Sequence, residues 1–288
     1  MSMGWVNKCR EYSKLVVFSN MLFSLAFGLA AVILAAGGLP AGAQLFWVLT
    51  ALLCGRTAAN AFNRIADKDI DGKNPRTANR HLPAHTLSVG EVWVLVLVCL
   101  GGMCLAAGML RLLCLELAPL AVAVVVLYSY SKRFTSLCHV ILGAASAMAP
   151  LGVWIALTGG VDARGWCLAA ANLFWVAGFD IIYATQDIEF DRAQGLHSIP
   201  ARFGVPGALR ISAAFHAVML AALAGLAVQL PSAGIFWAGL GIFTILLGWQ
   251  HRLAQAAGEA GFASMNLSRW LSLFFLALVI VWQWAQAC

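Results

Sequence analysis

Hydrophobic positions along this chain come in long runs divided by short polar breaks, not in the alternation of a half-buried strand or the single apolar stripe of a surface helix. The runs extend over about Leu15 to Ala36, Ala41 to Phe62, Val89 to Leu110, Leu112 to Tyr130, Ser136 to Thr158, Gly165 to Tyr183, Gly207 to Gln229, Ser232 to Gln250 and Leu267 to Ala285. Each is close to the roughly 20 apolar residues that a helix needs to cross a bilayer. The pattern therefore predicts an all-α integral membrane protein with nine transmembrane helices. Loops this short leave no room for a separate soluble unit, so residues 1–288 read as a single membrane domain. Pro40 and Pro231 fall in turns, whereas Pro119 and Pro150 fall inside spans, where packed neighbours can satisfy the freed carbonyls.

Composition agrees. Of 288 residues, 62% are hydrophobic and 10% charged, whereas soluble domains carry about 25% charged residues. The basic residues give the orientation, because Lys and Arg are retained on the cytoplasmic side. With nine spans, fifteen of them fall on one side, including Lys8, Arg10 and Lys14 at the N-terminus, and only Arg111 and Arg164 on the other. Arg56 is left inside the second span. The N-terminus is thus expected in the cytoplasm and the C-terminus outside, in a bacterial-type inner membrane. The first run is too long for a signal-peptide core and is followed at once by another span, so it is read as retained. A net charge of +6 reads as topology and an anionic substrate or lipid, not as nucleic-acid binding. The eight cysteines are scattered without a CxxC pair and read as small packing residues.

The few acids change the picture most. Seven of the twelve, Asp67, Asp69, Asp71, Asp180, Asp187, Glu189 and Asp191, fall in two short segments, each at the cytoplasmic end of an even-numbered span. A polar loop follows each segment, over about Arg64 to Ser88 and Gln186 to Pro206. Asn63, Asp67 and Asp71 are four apart, so on a helix leaving the second span they stack on one face, with Arg56 and Asn60 continuing it into the membrane. Tyr183, Asp187 and Asp191 repeat the spacing, and Asp180 shares their face. Carboxylates brought together repel unless cations lie between them, and hard oxygen ligands favour Mg²⁺ or Ca²⁺.

An EF-hand begins like Asp67-x-Asp69-x-Asp71-Gly72, but its twelfth position must be a bidentate Glu and here is Ala78, so that reading fails. Basic residues lie in the same layer: Arg76 and Arg80 after the first cluster, Lys132 and Arg133 at the end of the fourth span, and Arg202 after the second cluster. With metal on the carboxylates, they outline a site for a diphosphate whose apolar tail lies in the bilayer.

These residues resemble the UbiA superfamily of intramembrane prenyltransferases. Its NxxxDxxxD motif is matched by Asn63, Asp67 and Asp71, with Arg64 where many members have a further Asp, and its YxxxDxxxD motif by Tyr183, Asp187 and Asp191. The segments Arg76-Thr-Ala-Asn-Arg80-His-Leu-Pro83, Ser131-Lys-Arg-Phe-Thr135 and His197-Ser-Ile-Pro-Ala-Arg-Phe-Gly204 are also similar to the family's. The wording around Gly178 to Asp191 looks most like the 4-hydroxybenzoate polyprenyltransferase branch, including members of the menaquinone route.

The resemblance implies a helical bundle around a central cavity. It implies Asn63, Asp67, Asp71, Asp187 and Asp191 as ligands of Mg²⁺ on a polyprenyl diphosphate, with the four aspartates catalytic. Asn60, Asn63, Arg76, Arg80, Lys132, Arg133, Tyr183 and Arg202 are expected to bind substrate. Asp69, Asp180 and Glu189 fall outside the core motifs and are expected in supporting roles. The reaction implied is prenyl transfer to the ring of an aromatic hydroxy acid, 4-hydroxybenzoate or a dihydroxynaphthoate, for quinone synthesis. A cation such as Arg133 is expected at the acceptor carboxylate, with Tyr128 and Tyr183 orienting ring or diphosphate. The competing class is an ion-coupled transporter or cation channel, since intramembrane acids also line ion pathways. Transporter carboxylates usually sit at the midplane on broken helices, whereas these sit at one face. A CDP-alcohol phosphotransferase is set aside because its DGxxAR spacing is missing.

Overall fold

A computed structural model of the chain describes residues 11, 12, 15, 18–255 and 259–287; Lys8, Arg10 and Lys14, used above for orientation, lie outside them. Among the described residues the structure is helical and has no strand. The long helices are α1 (Phe18–Ala36), α2 (Gly42–Ala66), α4 (Val89–Leu110), α5 (Leu112–Ser131), α6 (Cys138–Thr158), α7 (Ala163–Ala184), α9 (Ile199–Val228), α10 (Gly234–Gln255) and α11 (Glu259–Ala287). Two six-residue helices, α3 (Lys68–Lys73) and α8 (Ile188–Ala193), follow α2 and α7. Among the described residues, each apolar run read from the sequence falls largely on one of the long helices. Seven segments of the described residues are long and apolar enough to cross a membrane, falling on α2, α4, α5, α6, α7 with α8, α9 and α11.

Local chemistry fixes the boundaries. Helix α4 starts at a capping box: Ser88 Oγ accepts the Glu91 N–H, and the Glu91 carboxylate accepts the Ser88 N–H at 2.9 Å. Helix α9 begins eight residues before the predicted Gly207. Ser198 caps it by accepting the Ala201 N–H at 3.2 Å, and Pro200 is tolerated in the first turn, where N–H groups lack helical partners. Its path bends at Gly204, whose φ of +67° favours glycine. The two predicted polar loops are likewise corrected: each contains a short helix, and acids in the first turn of both, Asp69 and Asp71 in α3 and Glu189 and Asp191 in α8, suit the positive helix N-terminus.

Packing closes α1, α6, α7, α9, α10 and α11 into a ring, each helix against the next and α11 against α1. Phe27 stacks on Phe275 at 4.8 Å, within a buried core that includes Trp154, Trp175, Phe236 and Phe243. Helices α2, α4 and α5 pack on one another and join the ring mainly where α5 meets α6. Gly143 lets α6 approach α7 closely, since a Cβ there would strike the Leu173 carbonyl. The unfilled space between the three-helix layer and the ring is the cavity that holds the site.

Candidate active site

A cavity of about 1340 Å³ runs between α2, α4, α5, α6 and α7, lined along most of its length by apolar side chains such as Leu52, Met103, Val122 and Ala149. Its polar end is built from both acidic segments. Helix α2 ends at Ala66, and Asp67 breaks it at φ −94°, ψ 0°. Even so, the Asp67 N–H donates to the Asn63 carbonyl at 2.9 Å and the Asp71 N–H to the Asp67 carbonyl at 2.7 Å. Those two bonds preserve the four-residue repeat across the break and carry it from α2 into α3. The second segment breaks at the equivalent acid: after α7, a 3₁₀ turn over Thr185–Asp187 leads into α8, with Asp187 at φ −110°, ψ 11°.

Each carboxylate has a partner. Asp67, 5% exposed, accepts from the Lys132 ammonium at 2.7 Å and more weakly from Asn63 Nδ2 at 3.4 Å. Asp71, 4% exposed, accepts Arg80 Nη1 on both oxygens, at 2.7 and 2.8 Å, with Arg64 at 3.7 Å. Asp187 accepts Arg76 through two parallel bonds, Nε at 2.9 Å and Nη2 at 2.5 Å, and Asn74 Nδ2 at 2.9 Å. Asp191 accepts the Ser198 hydroxyl at 2.8 Å. Arg76 also donates to the Tyr183 hydroxyl at 2.7 Å and lies over its ring. Burial works against the Arg76 charge, but Asp187 and Tyr183 outweigh it and raise its pKa above the ordinary arginine value.

The loop after α3 therefore ties the two segments together. Asn74 accepts the Arg76 N–H on its side-chain oxygen at 3.0 Å, and Thr77 donates to the Asp71 carbonyl at 3.0 Å. That turn aims Arg76 away from its own motif and onto the second one. Its sequence signal is Asn74-Pro75, a pair that favours turns, but nothing local reveals the partner more than a hundred residues away.

Asn60, Asn63, Asp67, Asp71, Arg76, Arg80, Lys132, Tyr183, Asp187 and Asp191 all line the cavity. Arg133 and Arg202 are not among the lining residues: Arg133 donates to the Ala66 carbonyl and lies over Tyr130, and exposed Arg202 lies over Phe203. Asp69 and Glu189 are exposed. Asn74, Thr77, His139 and Ser198 were missed from sequence, being ordinary polar residues outside the motif spacing. Arg56 also lines the cavity, and its Nε is buried without a hydrogen-bond partner.

The donor set suits a hard divalent cation. Its potential ligands are oxygens, and Asp67 Oδ1 is buried with no hydrogen-bond partner, so it keeps a lone pair free for a cation. Among the described residues, no three acidic, His or Cys side chains already converge as a metal cluster; Lys132, Arg80 and Arg76 are each paired with one of the carboxylates.

Comparison with known proteins matches this geometry. The 4-hydroxybenzoate octaprenyltransferase of Chromohalobacter salexigens is 31% identical over 82% of this chain and 84% of its own. The enzyme of the same name from Xanthomonas campestris pv. campestris is 32% identical over 88% and 85%. Among solved structures, a UbiA homolog from Aeropyrum pernix in its apo form superposes with a TM-score of 0.82 at 33% identity, covering 91% of this chain and 97% of that one. A homolog from Archaeoglobus fulgidus bound to GPP and Mg²⁺ shares the fold, with a TM-score of 0.67 at 18% identity over 93% and 99%. Residues 24–279 match the UbiA prenyltransferase family, and the chain belongs to that family.

Proposed function

We propose that this enzyme transfers a polyprenyl group from its diphosphate to the ring carbon of an aromatic hydroxy acid, 4-hydroxybenzoate or a dihydroxynaphthoate, in an Mg²⁺-dependent step of quinone synthesis. The observation that carries this is the opposition of two acidic motifs and three basic side chains, Arg76, Arg80 and Lys132, at one end of an otherwise apolar cavity. An ion pathway needs no such cations beside its carboxylates. The remaining architecture follows the charge pattern: one domain, nine membrane crossings, the N-terminus and the polar end of the cavity facing the cytoplasm of a bacterial-type inner membrane.

Asn63, Asp67, Asp71, Asp187 and Asp191 would hold Mg²⁺, which when bound neutralises charge on the diphosphate. Without donor, the carboxylates are neutralised by Lys132, Arg80 and Arg76. On donor binding these cations turn to the phosphate oxygens and stabilise the negative charge that grows there as the allylic C–O bond breaks. Arg76 brings a planar fork suited to phosphate. Leu52, Met103 and the other apolar walls enclose the chain and keep water from the allylic cation. Arg56, with a buried and unpartnered Nε, is the cation placed to take the acceptor carboxylate, a role the sequence had suggested for Arg133. Tyr128, beside it in the lining, orients the ring.

The test is incubation of purified protein with Mg²⁺, a polyprenyl diphosphate and either 4-hydroxybenzoate or 1,4-dihydroxy-6-naphthoate, with products read by mass. A prenylated acceptor that disappears on chelation is the expected result. No prenylated product with any aromatic acceptor would overturn the reading.

A further inference from the structure

Residues 74–87 join α3 to α4 without regular helix or strand, yet they carry Asn74, Arg76, Thr77 and Arg80, which hold both acidic motifs. A surface connection this long has many conformations open to it, and keeping four side chains on target within it costs conformational entropy. Its path therefore has to be fixed from outside the site. The ends are fixed by α3 and by the Ser88 cap of α4. The middle is fixed at His81 and Leu82, immediately after Arg80.

The His81 carbonyl accepts the Thr86 N–H at 2.9 Å, the Thr86 hydroxyl at 3.1 Å and the Leu87 N–H at 3.4 Å, which turns the chain back toward α4. Leu82 and Leu87, 2% and 3% exposed, enter an apolar cluster with Ala61 of α2 and Val92 and Val96 of α4. The N-terminal part of the chain completes that cluster: Leu15 is 1% exposed within it, and Tyr12 packs against it. Beside them Glu11 Oε2 lies 3.1 Å from Nε2 of His81, with side chains only 21% and 16% exposed. Glu11, Tyr12, Leu15, His81 and Leu82 do not line the cavity, so they reach it only through the loop. His81 shares a peptide unit with Arg80, and the direction of the main chain there sets whether Arg80 can meet both oxygens of Asp71.

We propose that Glu11, Tyr12 and Leu15 form a strap that seats the loop over the mouth of the cavity, and that Glu11 and His81 are positioning residues that hold Arg80 in place for the donor diphosphate. The proposal rests on the prenyl-transfer reading above, because it needs an anion to arrive at Arg80. Preorganisation of this kind acts on the empty enzyme: with the strap loosened, the donor has to order the loop itself. At saturation the phosphate oxygens hold Arg80, so the loss falls on donor KM and kcat is kept. A variant that merely folded less well would do the opposite, lowering kcat through loss of active enzyme with KM unchanged.

Hydrogen exchange and steady-state kinetics on the full-length enzyme in vesicles, with whichever acceptor the wild type turns over, test both parts. Glu11→Gln is expected to raise donor KM by about three- to fivefold, the upper range for a partly exposed ion pair, with kcat and acceptor KM within about twofold of wild type. Amide exchange over residues 74–87 should quicken by a similar factor, while α6, α7 and α9 keep wild-type protection. Reversing the pair, Glu11→Lys with His81→Glu, should return donor KM and exchange toward wild type, whereas each reversal alone loses more than Glu11→Gln. The proposal is overturned if exchange over 74–87 is unchanged in Glu11→Gln, if kcat falls while donor KM holds, or if the double reversal is no better than the worse single one. An inactive wild type would sink the prenyl-transfer reading, and exchange over 74–87 would still decide whether the strap seats the loop.

Discussion

The two acidic segments share a plan and differ in how they are held. Both run from a long helix through a break at the middle acid into a six-residue helix: α2, Asp67 and α3 in one, α7, Asp187 and α8 in the other. In the first segment Asp67 and Asp71 are nearly inaccessible, and Asp71 is closed over by Arg80, nine residues away. In the second, both acids are more open; Asp187 takes its partners, Arg76 and Asn74, from the loop after α3, and Asp191 takes Ser198, seven residues on. Each segment therefore closes its last acid locally, Asp71 with Arg80 and Asp191 with Ser198, and takes the partner of its middle acid from a distant segment, Asp67 from Lys132 and Asp187 from the loop after α3.

Substitutions can break this comparison at decreasing cost. The largest effect is expected from Asp67→Asn, which removes a buried carboxylate with an open lone pair; kcat should fall by about 100-fold or more while the protein stays folded in detergent, as checked by size-exclusion chromatography and turnover. Arg76→Lys keeps the charge but loses the two parallel bonds to Asp187, and should lower kcat/KM by about tenfold. A loss confined to donor KM would show that Arg76 serves binding alone. Ser198→Ala removes one hydrogen bond to Asp191 and should lower kcat/KM by about fivefold, equivalent to about 1 kcal/mol. Glu189→Gln is the smallest: exposed on α8 only two residues from Asp191, it should leave kcat/KM within about twofold of wild type. If Glu189→Gln matched Ser198→Ala, position on α8 and not contact would decide function, and the comparison would fail.

Much of this was legible in residues alone. Helix α4 was read with both ends correct because its apolar run is bracketed by polar residues, Ser88 before it and Arg111 after it. The motif acids were legible because acids are scarce and their four-residue spacing repeats. Breaks at Asp67 and Asp187 were not legible, since spacing presumes a continuous helix and the kinks preserve it through the bonds at Asp67. Nor was the reach of Asn74 and Arg76 to Asp187, which depends on how two distant segments meet. Arg133 illustrates the limit at close range: adjacent to Lys132 and equally basic, it turns to the Ala66 carbonyl while its neighbour turns to Asp67. The direction of the chain at the corner after α5 decides between them, and composition is silent about direction.

The segment His197 to Ile199 touches four groups in three residues. The His197 N–H donates to the Lys132 carbonyl at 2.7 Å, the Cys138 thiol donates to the His197 carbonyl at 3.5 Å, Ser198 reaches Asp191, and Ile199 reaches His139. Three of these four contacts are made by main-chain groups, so the path of this tripeptide, more than its side chains, ties the ends of α5, α6, α8 and α9 together. Arg56 and Tyr128 stand on α2 and α5, away from that junction, so a change at the proposed acceptor end leaves the junction intact.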